Sequence, residues 1–182
     1  MNPDPSTPSS YTVLDPAALV QTERLRIGVL QSELFASYCE IVCDPNTGLY
    51  DEEFPKSKEE ALQSLQESIS TEPFSTEEWN EYGVYSDTEL VGVISHREST
   101  GSDGRLHSHM GYHFHAGFQG RGFATEAVRG LLSILSEQGI CDVECVVHPE
   151  NTPSLALLKR IGFAQAGFDA SANEIVFQYA LS

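Results

Sequence analysis

One segment narrows the possible folds more than any other: Met110-Gly-Tyr-His-Phe-His-Ala-Gly-Phe-Gln-Gly-Arg-Gly-Phe-Ala-Thr-Glu-Ala127. It starts as a strand (His107 to His115), passes through a Gly-rich loop and enters a helical pattern that runs from Arg121 to Gln138. Ala124, Ala127, Val128, Leu131, Leu132 and Leu135 mark one side of that helix. Residues without bulky side chains let a backbone approach a ligand closely. A helix N-terminus adds unpaired N–H groups and a partial positive charge. Strand, Gly-rich loop and helix start together make an anion site, with clearance from Gly120, Gly122 and Ala124 and a mobile charge from Arg121. The glycine and lysine spacings are those of neither a Walker loop nor a dinucleotide fingerprint. The glycines alone are equally compatible with an ordinary strand-to-helix turn.

The rest of the chain supplies a sheet for that unit. Glu23 to Leu30 alternates like a half-buried strand, Ser32 begins a helix to about Val42, and Ser57 with Glu60 forms a capping box for a second helix. Strands are expected at Tyr82–Tyr85, Leu90–His96, Ile140–Val147 and Glu174–Leu181, and a short helix over Asn151–Ile161. Paired strands followed by strand–helix–strand–helix–strand predict an α/β fold with a mixed sheet. Residues 1–20, rich in Pro and Ser, read as a disordered lead-in, and 21–182 as a single domain.

Composition removes several function classes. A formal net charge of −17 opposes binding to nucleic acid and suits a cationic partner. No apolar run approaches the roughly 20 residues needed to span a bilayer. The first residues lack the features of a signal peptide, so a cytoplasmic location is expected. Cys39/Cys43 and Cys141/Cys145 lack the spacing of a zinc site and read as small apolar residues; no metal is expected. Six of the ten basic residues lie between Arg97 and Arg160, where an anionic ligand belongs.

Gln119-x-x-Gly122-x-Ala124 resembles the acetyl-CoA loop of the GNAT N-acetyltransferase superfamily. Gly-Phe-Ala-Thr-Glu-Ala127 is similar to the start of the central helix in its RimJ/RimL-type branch. Asn151-Thr-Pro-Ser154-Leu-Ala-Leu-Leu-Lys-Arg-Ile-Gly162-Phe163 resembles that branch's second signature, and Thr22-Glu-Arg-Leu-Arg-Ile27 its opening strand. The resemblance spans about Thr22 to Leu181. It implies a mostly antiparallel sheet of six to seven strands flanked by about four helices. Two central parallel strands, His107–His115 and Ile140–Val147, would splay into a V that holds acetyl-CoA as co-substrate.

By the same resemblance, the backbone of Phe114, His115 and Ala116 would hold the pantetheine. Gln119, Gly120, Arg121, Gly122, Phe123, Ala124 and Thr125 would hold the pyrophosphate. Asn151 would reach the pantetheine from the other side, although Asn in that position is equally a helix N-cap. The reaction implied is direct attack of a primary amine, of a protein or peptide N-terminus or of a small molecule, on the thioester in a ternary complex. The tyrosine that many members use as thiolate acid is Leu158 here. Ser154 matches the serine placed near the sulfur instead, and a Ser hydroxyl can donate to a developing thiolate; a role in capping or packing is its alternative.

His148, at the end of a strand flanking the V, is the selected base, because histidine titrates near neutral pH. His113, His115, Glu144 and a water relay stay open, and Glu126 reads as a dipole-stabilising residue. The acidic stretch that includes Glu59, Glu60, Glu67, Glu72, Glu77 and Glu78 would favour a cationic acceptor. A catalytically silent acyl-CoA-binding module, acting as sensor or scaffold, is the competing reading, and the oligomer is expected to be a monomer or homodimer.

Overall fold

The computed structural model describes residues 18–46, 48–50, 55–76 and 78–181. Eight strands form one mixed sheet in the order β1-β2-β3-β4-β5-β6-β8-β7. They are β1 (Ala18–Gln21), β2 (Arg26–Gly28), β3 (Trp79–Ser86), β4 (Glu89–Thr100), β5 (Leu106–Phe114), β6 (Asp142–Val147), β7 (Ala164–Asp169) and β8 (Glu174–Ala180). All neighbours are antiparallel except β5 and β6. The mixed α/β sheet is as expected, with eight strands rather than six to seven.

The additional strands are the two at the sheet's edges. β1 takes in the last residues of the expected lead-in; residues 1–17 lie outside the described residues. β7 has the sequence Ala-Gln-Ala-Gly-Phe-Asp, poor in β-formers and largely exposed, so it lacks a buried strand's pattern.

Helices α1 (Phe35–Val42), α2 (Lys58–Ser70), α3 (Phe123–Glu137) and α4 (Thr152–Ile161) cover the sheet. With Ser32 expected as its cap, α1 starts two residues later than expected, because Ser32–Leu34 forms a 3₁₀ turn. α2 is capped as expected: the Glu60 N–H donates to Ser57 Oγ at 3.1 Å. The Glu60 carboxylate reaches back one residue further than in a capping box and accepts from the Lys56 N–H at 2.7 Å.

The apolar stripe of α3, from Ala127 to Leu135, is buried in the main core with Val84, Ile94, Met110, Phe114, Leu158 and Phe177. A second core holds Tyr38, Ile41, Ala61 and Leu65 against Tyr85 and Val93. Two of the four cysteines, Cys39 and Cys145, are buried; Cys43 and Cys141 are half-buried, and all four are free thiols. Among the described residues, no helix is long and apolar enough to cross a membrane.

Candidate active site

The parallel pair β5 and β6 is in register over three residues only: His107 with Asp142, Ser108 with Val143 and His109 with Glu144. Beyond that seam β5 stays paired to β4 and β6 to β8, so the two strands diverge into the V. Two cross-strand contacts hold the seam: His107 Nδ1 to Asp142 Oδ2 at 2.7 Å and His109 Nδ1 to Glu144 Oε1 at 3.4 Å. Glu144 is thereby committed at the closed end. At the first divergent position the buried Cys145 thiol donates to the Met110 carbonyl at 3.3 Å.

Strand alternation determines which backbone groups line the V. The His115 N–H donates to the Val91 carbonyl at 3.0 Å, so the odd-numbered residues of β5 spend their backbone groups on β4. Those of Tyr112 and Phe114 face the other way, into the V. His115, expected among the pantetheine contacts, therefore has its N–H occupied, and Tyr112, not singled out from the sequence, supplies backbone donors and acceptors. The Phe114 carbonyl already accepts from Gln119 Nε2 at 3.0 Å, which ties the loop to the end of the strand. Ala116 to Phe118 form one 3₁₀ turn, closed by Phe118 N–H donating to the His115 carbonyl at 2.9 Å and capped by Gly117 N–H donating to His115 Nδ1 at 3.1 Å.

The loop then takes the shape an anion cradle requires. Gly120 and Gly122 have φ of 74° and 82°, a left-handed conformation that side-chain-bearing residues rarely adopt. The first bond inside α3 runs from Glu126 N–H to Gly122 O, which leaves the amides of Phe123, Ala124 and Thr125 unspent within the helix. Cationic side chains converge on this end. Arg121 lies over the Phe118 ring at 5.1 Å, Arg24 over Phe123 at 4.8 Å, and Arg160 Nη1 reaches Thr125 Oγ1 at 3.4 Å.

Glu126 anchors the cradle, which is more than its expected effect on the helix dipole. Its carboxylate accepts from Thr22 Oγ1 at 2.5 Å, and from the Arg24 N–H and Nε at 2.7 Å each. Arg24 Nη1 in turn donates to the Arg121 carbonyl at 3.0 Å. Burial opposes the charge on Glu126, but the bonds from Thr22 and Arg24 outweigh it and hold the carboxyl below its usual range. Thr22 and Arg24 lie in the opening-strand motif, but nothing in their spacing ties them to a loop about a hundred residues away.

On the other wall, Asn151 caps α4: its Oδ1 accepts from the Ser154 N–H at 3.2 Å. The cap uses only the side-chain oxygen, so a second role for the amide nitrogen is compatible with it. Ser154 is half-buried in the first turn, and that cap holds its backbone N–H. Leu158 is fully buried in the core, one turn further along.

The histidines divide sharply. His113, left open as a candidate base, is half-buried; desolvation lowers its pKa to about 3, so it is a neutral ring at neutral pH. His148 receives the Glu150 N–H on Nδ1 at 3.2 Å and meets the Asn173 amide with Nε2 at 3.0 Å. Tyr50 stacks on its ring at 5.1 Å. Both nitrogens are committed, which argues against the base role expected of His148. The residue instead joins three segments: the α1–α2 connection, the end of β6 and the β7–β8 turn.

A sheet splayed between two parallel strands, with a helix N-terminal cradle at its mouth, defines the fold of an acyl-CoA-dependent transferase. The comparisons with known proteins agree. The chain matches the acetyltransferase (GNAT) domain over residues 24–164. It is 26% identical over 148 residues to the uncharacterized N-acetyltransferase p20 of Bacillus licheniformis, covering 80% of this chain and 82% of that protein. Its fold is similar to the GNAT-family acetyltransferase from Bacillus anthracis (TM-score 0.75, 20% identity, 88% of this chain and 97% of that one). It is similar also to RimL, the ribosomal L7/L12 alpha-N-protein acetyltransferase, in complex with coenzyme A (TM-score 0.73, 18% identity, 88% and 96%). The chain belongs to the GNAT acetyltransferase family. It is an acyltransferase enzyme.

Proposed function

We propose that the protein transfers the acetyl group of acetyl-CoA to a primary amine by direct attack in a ternary complex. The observation that carries this reading is the three-residue seam, which opens β5 and β6 into a V with Ser154 on one wall and the α3 cradle at its mouth. Acetyl-CoA supplies an activated thioester. Tyr112 and Phe114 offer it backbone pairing, Gly120 to Thr125 receive its pyrophosphate, and Asn151 steadies it from the side of α4. As the C–N bond forms and the C–S bond breaks, the electron pair goes to sulfur. The Ser154 hydroxyl donates to that thiolate, which then takes up a proton, while the amine's proton leaves through water. The likeness to RimL supports a protein or peptide N-terminal amine as the acceptor class. The acidic net charge of −17 supports one carried on a cationic segment.

Acetyl-CoA at about 100 times its Kd is expected to stabilise the protein by about 2.7 kcal/mol, a melting shift of roughly 5–10 °C for a domain of this size. Absence of a shift at millimolar ligand contradicts the donor site. Thiol release in a screen of amines, polyamines and short peptides then reports transfer; binding without release with every acceptor supports the silent module instead. Ser154→Ala is expected to lower kcat about 10- to 100-fold, the range for a hydrogen bond to a charged group, with acetyl-CoA affinity unchanged. Turnover equal to wild type removes Ser154 from the chemistry.

A further inference from the structure

The open end of the V is bridged on one face of the sheet. Val143, Cys145 and Val147 of β6 are buried in the main core with the stripe of α3. Alternation turns Glu144 and Val146 to the opposite face, the one on which Val93 joins the second core with α1 and α2. Val146 is 49% exposed there. His148 follows just beyond the strand and comes out on the same side, where Tyr50 of the α1–α2 connection stacks on it. The two ring centroids are 5.1 Å apart and the planes lie within 17° of parallel. Both residues are half-buried.

Two further segments hold the His148 ring. Nδ1 accepts from the Glu150 N–H at 3.2 Å, and Nε2 meets the Asn173 amide at 3.0 Å. Asn173 has φ of 57°, a left-handed conformation that Asn tolerates, and lies at the end of the β7–β8 turn. Asp169 braces that turn by accepting from the Ser171 N–H at 2.8 Å and its hydroxyl at 2.6 Å. The His148 carbonyl accepts from the Asn151 N–H at 2.9 Å, so the bridge is continuous with the cap at the start of α4. Rings stacked face to face, with both nitrogens of one bonded, make a stiff span rather than a loose loop.

A donor whose pyrophosphate lies at the start of α3 fills the V from the α3–α4 face. The amine is left the opposite face, and there the span crosses its path. We propose that Tyr50, His148 and Asn173 form a clasp that selects acceptors by the bulk next to the amine, admitting small groups and turning away large ones. The inference rests on the acetyl-transfer reading above, and it gives His148 a role in specificity instead of proton transfer. Exclusion of this kind is a difference between acceptors, so opening the clasp speeds a bulky acceptor more than a small one.

The test uses Tyr50→Ala, Tyr50→Phe and Asn173→Gly in the full chain. Acceptors are offered in matched pairs: short peptides that begin with glycine or with tryptophan, and ethylamine against 1-phenylethylamine. Wild type should favour the smaller member by at least about tenfold in kcat/KM. Tyr50→Ala and Asn173→Gly should cut that preference to about threefold or less by speeding the larger member, and Tyr50→Phe, which keeps the stack, should retain it. Hydrogen exchange supplies a readout independent of turnover. Tyr50→Ala should speed exchange across residues 170–175, on the other side of the clasp, by about 3- to 10-fold, and leave α3 unchanged. An unchanged preference, activity lost equally with every acceptor, or exchange at 170–175 equal to wild type would each overturn the clasp. Protein that binds acetyl-CoA and releases no thiol with any acceptor, in wild type and variants alike, overturns the transfer reading and acceptor selection with it. Exchange then still decides whether the contacts join the two segments.

Discussion

Gly122→Val is expected to weaken acetyl-CoA binding by at least about 30-fold, measured by calorimetry, and to lower the unfolding free energy by about 2 kcal/mol. Gly122 has φ of 82°, where a side-chain-bearing residue costs roughly 1–2 kcal/mol and a β-branched one more. A Cβ there would also lie 3.4 Å from Arg24 Nη2, part of the guanidinium that braces the Arg121 carbonyl. Relief of the strain requires rotation of the peptide that presents the first amides of α3. Loss of two hydrogen bonds to an anion, at about 1–1.5 kcal/mol each, gives the 30-fold figure. Gly104→Val is the control, because Gly104 has a similar φ of 76° in the β4–β5 loop with open space around it. It should cost comparable stability and leave acetyl-CoA affinity unchanged. If Gly122→Val binds within threefold of wild type, the loop does not hold the donor.

Glu126→Gln should lower stability by about 2 kcal/mol at pH 7, a fall in melting temperature of roughly 4–8 °C. The substitution keeps the shape and removes the charge that receives Thr22 and Arg24. Arg24 is partly exposed, and solvent screening is the reason the figure is kept below that of a fully buried pair. The carboxyl titrates below its unfolded value of about 4.3, so the native state binds fewer protons than the unfolded one in that window. The stabilisation is fully present above about pH 4.3 and is lost as pH falls through the native pKa. Denaturant melts of wild type and variant should therefore converge in acid, and a difference that persists unchanged at pH 3 refutes the ion-pair account.

The Gly-rich loop before α3 was legible in the sequence because its causes are local. Glycines at left-handed positions, a strand period before them and a helical stripe after them all lie within one stretch of chain. Asn151 likewise announces a cap three residues before the N–H it receives. The edge strands were not legible: β7 lacks β-branched residues at buried positions, and β1 abuts a Pro/Ser-rich stretch. Nor could sequence order show where the polar side chains would meet. Glu126 is tied to Thr22 and Arg24 from the far edge of the sheet, and His148 to Tyr50 and Asn173. Each pairing depends on how the sheet is crossed, which no local period encodes. For the same reason, an intrinsic pKa near neutrality says nothing about whether a ring's lone pair is already taken, as the partners of His148 show.

The seam between β5 and β6 also has a mechanical meaning. Three residue pairs join a plate of five strands to a plate of three, and β5, unpaired with β6 but still held by β4, runs on for five residues, Met110 to Phe114. At about 3.3 Å per residue that stretch is roughly 16 Å long, so a rotation of about 6° at the seam moves its tip by about 1.7 Å. That is more than the tolerance of a hydrogen bond. The two histidine–carboxylate contacts lie at that seam, so a small change of angle there would be magnified at the open end of the V.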